Sequence, residues 1–396
     1  MARLRITVEG IVQGVGFRPS VYRFAVARGL TGWVRNRPEG VELEVQGPEA
    51  TASDFLQALR TEVPPPARVD RVEASKVPEV ADERTFEIRS SGAGEAVRPV
   101  VPPDLATCPE CAREVATPGE RRHRYPFTNC TYCGPRYTII ESLPYDRPRT
   151  AMKGFPLCPD CEREYRDPGD RRFHAQPVAC PVCGPQLSLE APDGTLLAKR
   201  EAALQGAAEV IRRGEVLALK GLGGYQLLVD AASEAAVGLL RGRKRREEKP
   251  FAVMFPDLTF LRADCEAGEV EAALLRSPEA PILLLRRHPG GQVVEAVAPG
   301  NPRLGAFLPY TPLHRLLLEA VGGPVVCTSG NLSDEPMAFG DAEARVRLGG
   351  LADAVLAHDR PIVRPVDDSV LRVDGDGPTF LRRARGYAPL AVPLGD

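Results

Sequence analysis

Apolar and polar residues alternate from the start of the chain: Leu4, Ile6 and Val8 fall on one side of a period-two pattern, the mark of a half-buried strand. The run Gly10-Ile11-Val12-Gln13-Gly14-Val15-Gly16-Phe17-Arg18 follows, and Pro19 opens a helical stretch that ends at Gly29. A second strand near Gly32-Trp33-Val34, a third on Val41, Leu43 and Val45, a helix around Phe55 to Arg60 and a last strand near Phe86-Glu87-Ile88 complete a βαββαβ order. This order predicts a ferredoxin-like sandwich, with the second strand expected beside the first.

Beyond a Pro/Gly-rich junction the period lengthens. Glu201 to Arg213 reads as an amphipathic helix closed by Gly214, and Glu215 to Leu219 as a strand running into Lys220-Gly221-Leu222-Gly223-Gly224-Tyr225. Helices near 233–245, 266–276, 311–320 and 341–350 alternate with apolar strands at 251–255, 281–286, 324–328 and 369–373, which predicts a twisted α/β domain.

Between these regions cysteine dominates. Eight of the ten cysteines lie in C-x2-C pairs between Cys108 and Cys183, and residues 108–135 align without gaps on 158–185 with 13 of 28 positions identical, so the region is a duplication. Each copy reads C-x2-C-x18-C-x2-C, the spacing of a four-thiolate zinc site. Copy one offers Cys108, Cys111, Cys130 and Cys133; copy two offers Cys158, Cys161, Cys180 and Cys183. Pairing of knuckles across copies is equally compatible with the spacing. Four thiolates close the coordination shell, so two structural Zn2+ ions are expected. His123 and His174 sit at unmatched offsets in the two copies and read as polar loop residues.

Length and charge narrow the picture further. A chain of 396 residues is too long for one core, and the patterns divide it into 1–91, a linker at 92–105, a tandem zinc module at 106–190 and an α/β domain at 198–390. The fold class is thus multidomain, α+β followed by α/β. A net charge of -2 gives no global attraction for nucleic acid or anionic membrane. Residues 106–190 carry 12 basic and 11 acidic side chains, a balance of +1 that eight thiolates and two Zn2+ shift by -4, which argues against a phosphate-backbone footprint on the zinc module. No apolar run long enough for a membrane span or a secretion leader is present, so a cytoplasmic address is expected.

Two segments offer anion chemistry. Glycines between a strand and a helix start let backbone N–H groups converge on a phosphate-like anion, and Arg18 adds a charge-assisted contact. Asn36, one of only four asparagines, can orient a water. In the α/β domain Lys220, Lys244 and Lys249 cluster in a chain with six lysines against 45 arginines. Cys327-Thr328-Ser329-Gly330-Asn331 supplies polar donors at a strand end, where α/β ligand sites gather. Cys265 and Cys327 read as buried structural cysteines.

Residues 1–90 resemble the acylphosphatase family, whose loop arginine and strand asparagine map onto Arg18 and Asn36. The K-x-R run at Lys244 and Arg246 and the S-x-N turn at Ser329 and Asn331 resemble the YrdC-like family, in which they bind ATP; Lys220 is expected beside them. Asp367 and Asp368 fall in a late segment that also resembles that family, as magnesium contacts or as a surface turn. The domain order, with VAPGNPRLGAFLPYTPLH and RRARGYAP, resembles the HypF family of hydrogenase maturation carbamoyltransferases along essentially the whole chain. The resemblance implies cleavage of carbamoyl phosphate at Arg18 and Asn36, internal passage of carbamate, and formation of carbamoyl adenylate from ATP with Mg2+. It also implies delivery to a HypE-type maturation protein through a C-terminal transferase domain, which is expected to be missing here because the five histidines form no cluster. Two alternatives are a threonylcarbamoyl-adenylate synthase serving tRNA modification and a zinc-ribbon binding protein without catalysis.

Overall fold

In a computed structural model, which describes all residues except 38–39, 65, 90–100, 144, 334, 376 and 393–396, the first region forms β1 (Ala2–Ile11), α1 (Phe17–Ala27), β2 (Thr31–Arg37), β3 (Gly40–Gly47), α2 (Glu49–Thr61), β4 (Arg68–Lys76) and β5 (Phe86–Ile88). The strand order is β4-β1-β3-β2-β5 among the described residues. Phe17, Val21, Phe55 and Leu59 from the helices pack on Ile6, Val8, Val34, Leu43 and Val45. Two expectations change. The fourth strand of the βαββαβ unit is β4, antiparallel to β1, and Phe86–Ile88 is a fifth strand parallel to β2. β4 was illegible because it is a mostly exposed edge strand whose three apolar residues, Val69, Val72 and Ala74, are scattered among charges. β2 does not lie beside β1 either: its crossover through α1 leaves a slot that β3 fills, antiparallel to both. Most of the expected linker, 92–100, lies outside the described residues.

In the cysteine region α3 (Pro109–Ala116) and α4 (Pro159–Arg166) each start on the residue after the first cysteine of their copy, with proline at the first helical position, where its missing N–H costs nothing.

The α/β region contains β6 (Leu187–Glu190), β7 (Leu196–Lys199), α5 (Arg200–Arg212), β8 (Leu217–Lys220), β9 (Tyr225–Asp230), α6 (Glu234–Lys244), β10 (Ala252–Met254), α7 (Leu258–Asp264) and α8 (Glu269–Leu275). It continues with β11 (Ile282–Arg286), β12 (Arg303–Phe307), α9 (Pro312–Val321), β13 (Val325–Ser329), α10 (Asp341–Leu348), β14 (Ala354–His358), β15 (Val370–Asp374) and β16 (Gly377–Arg382). Among the described residues these strands make one eleven-stranded mixed sheet, β16-β15-β11-β12-β10-β13-β9-β8-β14-β6-β7. β6 pairs antiparallel with β14, so the sheet begins at Leu187, inside the span assigned to the zinc module. Fully buried runs such as β9 show no alternation and escape period counting. Alternate residues of β8 feed two cores, Ala218 one and Leu217 and Leu219 the other. The second core also takes in Val115, Tyr125, Phe127, Ile139 and Met152, so the zinc module and the α/β domain share one apolar cluster.

Candidate functional site

The strand-to-helix loop Val12–Gly16 ends on Gly16, the N-cap of α1, at φ 76°, a left-handed conformation natural to glycine. A Cβ there would lie 2.7 Å from Tyr132 Cε1 of the zinc module. Gln13 Nε2 donates to the carbonyls of Arg37 (2.6 Å) and Gly40 (2.9 Å), tying the loop to the end of β2. Asn36 lies on that end, on the same face as core residue Val34, and its buried Oδ1 has no hydrogen-bond partner among the described residues. Arg18, the second residue of α1, makes no hydrogen bond to a described residue. Burial lowers its proton affinity, and Asp146 and Tyr165 partly restore it. Gln13 thus ties the glycine loop to the end of the strand that carries Asn36, on a face closed by the zinc module.

That closure was not legible in the sequence. Arg136 Nε donates to the carbonyl of Gly14 (3.0 Å), and Tyr132 Oη meets Ser20 Oγ (3.3 Å) and Arg23. His174 stacks on Tyr165, ring centroids 5.1 Å apart, and burial and Arg18 both hold its proton affinity down. Tyr132, Arg136 and His174 lie in stretches without a period, and only the fold carries them to the mouth of the cradle.

The four sulfurs of each copy lie within 4.8 Å of one another, so pairing is within copies and not across them. Sγ separations of 3.7 Å for Cys108–Cys130 and 3.7 Å for Cys158–Cys180 match the ~3.8 Å edge of a tetrahedron with Zn–S bonds of about 2.3 Å. The donor set fits zinc, and the chain carries two four-cysteine zinc sites. Each is braced by the other copy: Arg171 Nη1 donates to Cys111 Sγ (3.0 Å), while its counterpart Arg121 Nη1 donates to Cys161 Sγ (3.3 Å). Glu114 pairs with Arg122, Arg171 and Arg172, and Glu164 with Arg121 and Arg122. Such crossed bonds orient and neutralise thiolates.

In the α/β domain α6 ends on Lys244, whose Nζ donates to Ser329 O (2.7 Å), Asn331 O (2.6 Å) and Asn331 Oδ1 (3.0 Å). Ser329 Oγ donates to Asn331 Oδ1 at 2.7 Å. All three ammonium donors are thus spent on shaping the turn. Burial, then Arg246 and Lys249, lower the Lys244 ammonium to about 7. Arg246 Nη1 donates to Thr328 Oγ1 (3.2 Å) and its guanidinium lies over Phe251. Lys220 is buried apart from this group. Its Nζ meets His358 O at 2.9 Å and Asp341 at 2.6 Å, and Asp341 also accepts from Tyr225 Oη. Tyr225 carries the connection back, because its carbonyl accepts from Gly330 N at 2.7 Å. Asp368 Oδ1 accepts from buried Arg385 (2.6 Å), whereas Asp367 is half-exposed. Cys265 and Cys327 are buried as expected.

Family models match in the same order: acylphosphatase over residues 4–88, the HypF finger over 107–140 and 157–190, and the Sua5/YciO/YrdC model, described as telomere recombination, over 209–384. The carbamoyltransferase HypF of Rhodobacter capsulatus is 52% identical over 100% of this chain and 52% of its own length; that of Synechocystis is 49% identical over 98% and 50%. The chain belongs to the HypF family. A crystal structure of full-length HypF in its phosphate- and nucleotide-bound form, 42% identical, superposes with a TM-score of 0.90 over 98% of this chain and 50% of that one. The chain thus spans about half the length of the HypF relatives it matches. Among the described residues no helix is long and apolar enough to cross a membrane.

Proposed function

We propose that the chain carries out two consecutive steps of a HypF reaction. At the first site carbamoyl phosphate is held by the Val12–Gly16 amides and Arg18. Asn36 Oδ1 accepts a hydrogen bond from the attacking water, which adds to the carbamoyl carbon as the C–O bond to phosphate breaks. The products are carbamate and inorganic phosphate. Positioning and charge stabilisation supply the rate, so no covalent enzyme intermediate is needed. At the second site a carbamate oxygen attacks the α-phosphorus of ATP and pyrophosphate leaves, giving carbamoyl adenylate. Arg246, Ser329 and Asn331 line the phosphate side, Lys244 holds their turn and adds positive field, and Lys220 lies toward the carbamate. Mg2+ bound to the nucleotide would neutralise phosphate charge.

The observation that carries this reading is the buried, unpartnered Oδ1 of Asn36 at the end of a strand tied to the loop that presents Arg18. The phosphate and nucleotide in the related crystal structure support two anion-handling sites. In the whole protein the carbamoyl group would pass to a cysteine of a HypE-type hydrogenase maturation partner in the cytoplasm. Mixed with carbamoyl phosphate, ATP and Mg2+, the chain should release pyrophosphate, and Arg18→Ala should stop it unless ammonium carbamate is added. Pyrophosphate release independent of carbamoyl phosphate would reject the coupling.

A further inference from the structure

Two backbone N–H groups of the cradle loop have nothing to bind. Val15 and Gly16 are buried, Val15 completely, and neither amide donates to a described residue. Orphaned buried N–H groups are rare in folded proteins, because each costs about as much as a lost hydrogen bond. Gly14 (φ 69°) and Gly16 (φ 76°) have positive φ and Val15 between them does not, the alternation that turns successive N–H groups toward one anion.

Arg136 of the zinc module fixes this loop from behind. It is 2% exposed, and each of its side-chain nitrogens donates to a carbonyl: Nε to Gly14 (3.0 Å), Nη1 to Gly134 (2.9 Å) and Nη2 to Thr131 (2.6 Å). The Gly14 C=O and the Val15 N–H belong to one planar trans peptide and point in opposite directions. Pinning the carbonyl therefore sets where the amide aims. The other two acceptors belong to the copy-one knuckle. Thr131 stands between Cys130 and Cys133, whose sulfurs are 3.8 Å apart, and Gly134 follows directly. Thr131 Oγ1 and Tyr132 Cε1 of the same knuckle also press on Gly16, 2.9 and 2.7 Å from where a Cβ would stand.

We infer that Arg136 is a positioning residue of the first site: it passes the shape of the copy-one zinc knuckle to the Val15 amide, so that anion binding in the cradle and metal binding at that knuckle support each other. Taking the anion to be a phosphate rests on the proposed function. A metal-held knuckle keeps the Thr131 and Gly134 carbonyls at one spacing, and the guanidinium fork meets both of them and Gly14 only at that spacing. Loss of the metal frees the fork, the Gly14–Val15 peptide turns, and the nest loses a donor. By linkage, a bound anion makes the metal harder to remove.

The test uses inorganic phosphate as the probe and the Val15 amide as the reporter. The chain contains two Gly-Val pairs, Gly14-Val15 and Gly40-Val41. Labelling with 13C-carbonyl glycine and 15N-valine therefore leaves two peaks in a carbonyl-filtered NMR spectrum, told apart by Val41→Ile. Phosphate should shift the Val15 peak. Arg136→Met should weaken that response about tenfold or more, and so should Arg136→Lys, because an ammonium keeps the charge but cannot fork to three carbonyls. Unchanged affinity in Arg136→Met, or full rescue by Arg136→Lys, would overturn the inference. If these variants unfold or shed zinc, the unmutated chain decides by chelator competition with cysteine alkylation. Phosphate should protect Cys108, Cys111, Cys130 and Cys133 more than Cys158, Cys161, Cys180 and Cys183, and Arg18→Ala should cancel the difference. Equal protection of both copies, or none, overturns the inference. A Val15 peak that ignores phosphate altogether sinks the proposed first step as well, whereas phosphate binding indifferent to Arg136 sinks only the coupling.

Discussion

Replacing Arg171 with alanine should loosen a zinc ion that its own repeat does not hold. Arg171 belongs to copy two, yet Nη1 donates to Cys111 of copy one at 3.0 Å. A hydrogen bond to a charged acceptor contributes about 1.5–3 kcal/mol, and loss of such an outer partner usually weakens metal affinity about 10–100-fold. Glu114 keeps Arg122 and Arg172 in the variant, so no buried carboxylate is orphaned and the effect falls on the thiolate. The assay is chelator competition followed by cysteine alkylation and mass spectrometry, which reads the two sites separately. Cys108, Cys111, Cys130 and Cys133 should become reactive at roughly 10–100-fold lower chelator concentration, before Cys158, Cys161, Cys180 and Cys183. Earlier labelling of the copy-two cysteines, or a shift under about threefold, would refute the crossed bracing. Arg121→Ala should show the mirror pattern more weakly, because Arg122 also donates to Cys161.

Three further outcomes follow from the same geometry. Asn36→Ala should cut phosphate release from carbamoyl phosphate by about 10²–10³ in kcat, checked by steady-state kinetics with circular dichroism to confirm folding. Lys244 ordinarily holds its proton to 10.5 but only to about 7 when folded, so between those values the unfolded chain binds the extra proton and stability rises with pH, by up to ~1.4 kcal/mol per unit; urea midpoints at pH 7 and 9 should show a rise that Lys244→Met removes. Buried His314, with Nε2 held by Gln226 Oε1 at 3.0 Å, drops from 6.5 to about 3, so stability should fall as pH is lowered from 6.5 toward 3, and His314→Gln should flatten that acid limb in thermal melts.

What could be read from the sequence tracks how local each signal is. Cysteine knuckles are legible because ligand geometry forces a two-residue gap, and the glycine loop because the left-handed φ of Gly16 favours glycine. The pairing of knuckles within copies, the crossed arginines and the packing of Tyr132 on the cradle involve residues 22 to more than 100 positions apart, with no period to betray them. Nothing around Arg360 in the sequence announces that it is buried; its place appears only once Phe127 arrives from the zinc module. β4 failed for the opposite reason: an edge strand with charges on both faces resembles a loop. Lys220 was grouped with Lys244 by proximity in sequence, whereas strand geometry sends it toward Asp341 and His358.

The reciprocal arginine–sulfur bonds of the zinc module have the symmetry of an isologous dimer, in which each half lends the other what it cannot supply itself. Two separate halves would have to find each other in solution, and their grip on metal would then depend on protein concentration. Tethered end to end, they meet at a fixed effective concentration, so metal retention by this module is the same in dilute and crowded surroundings.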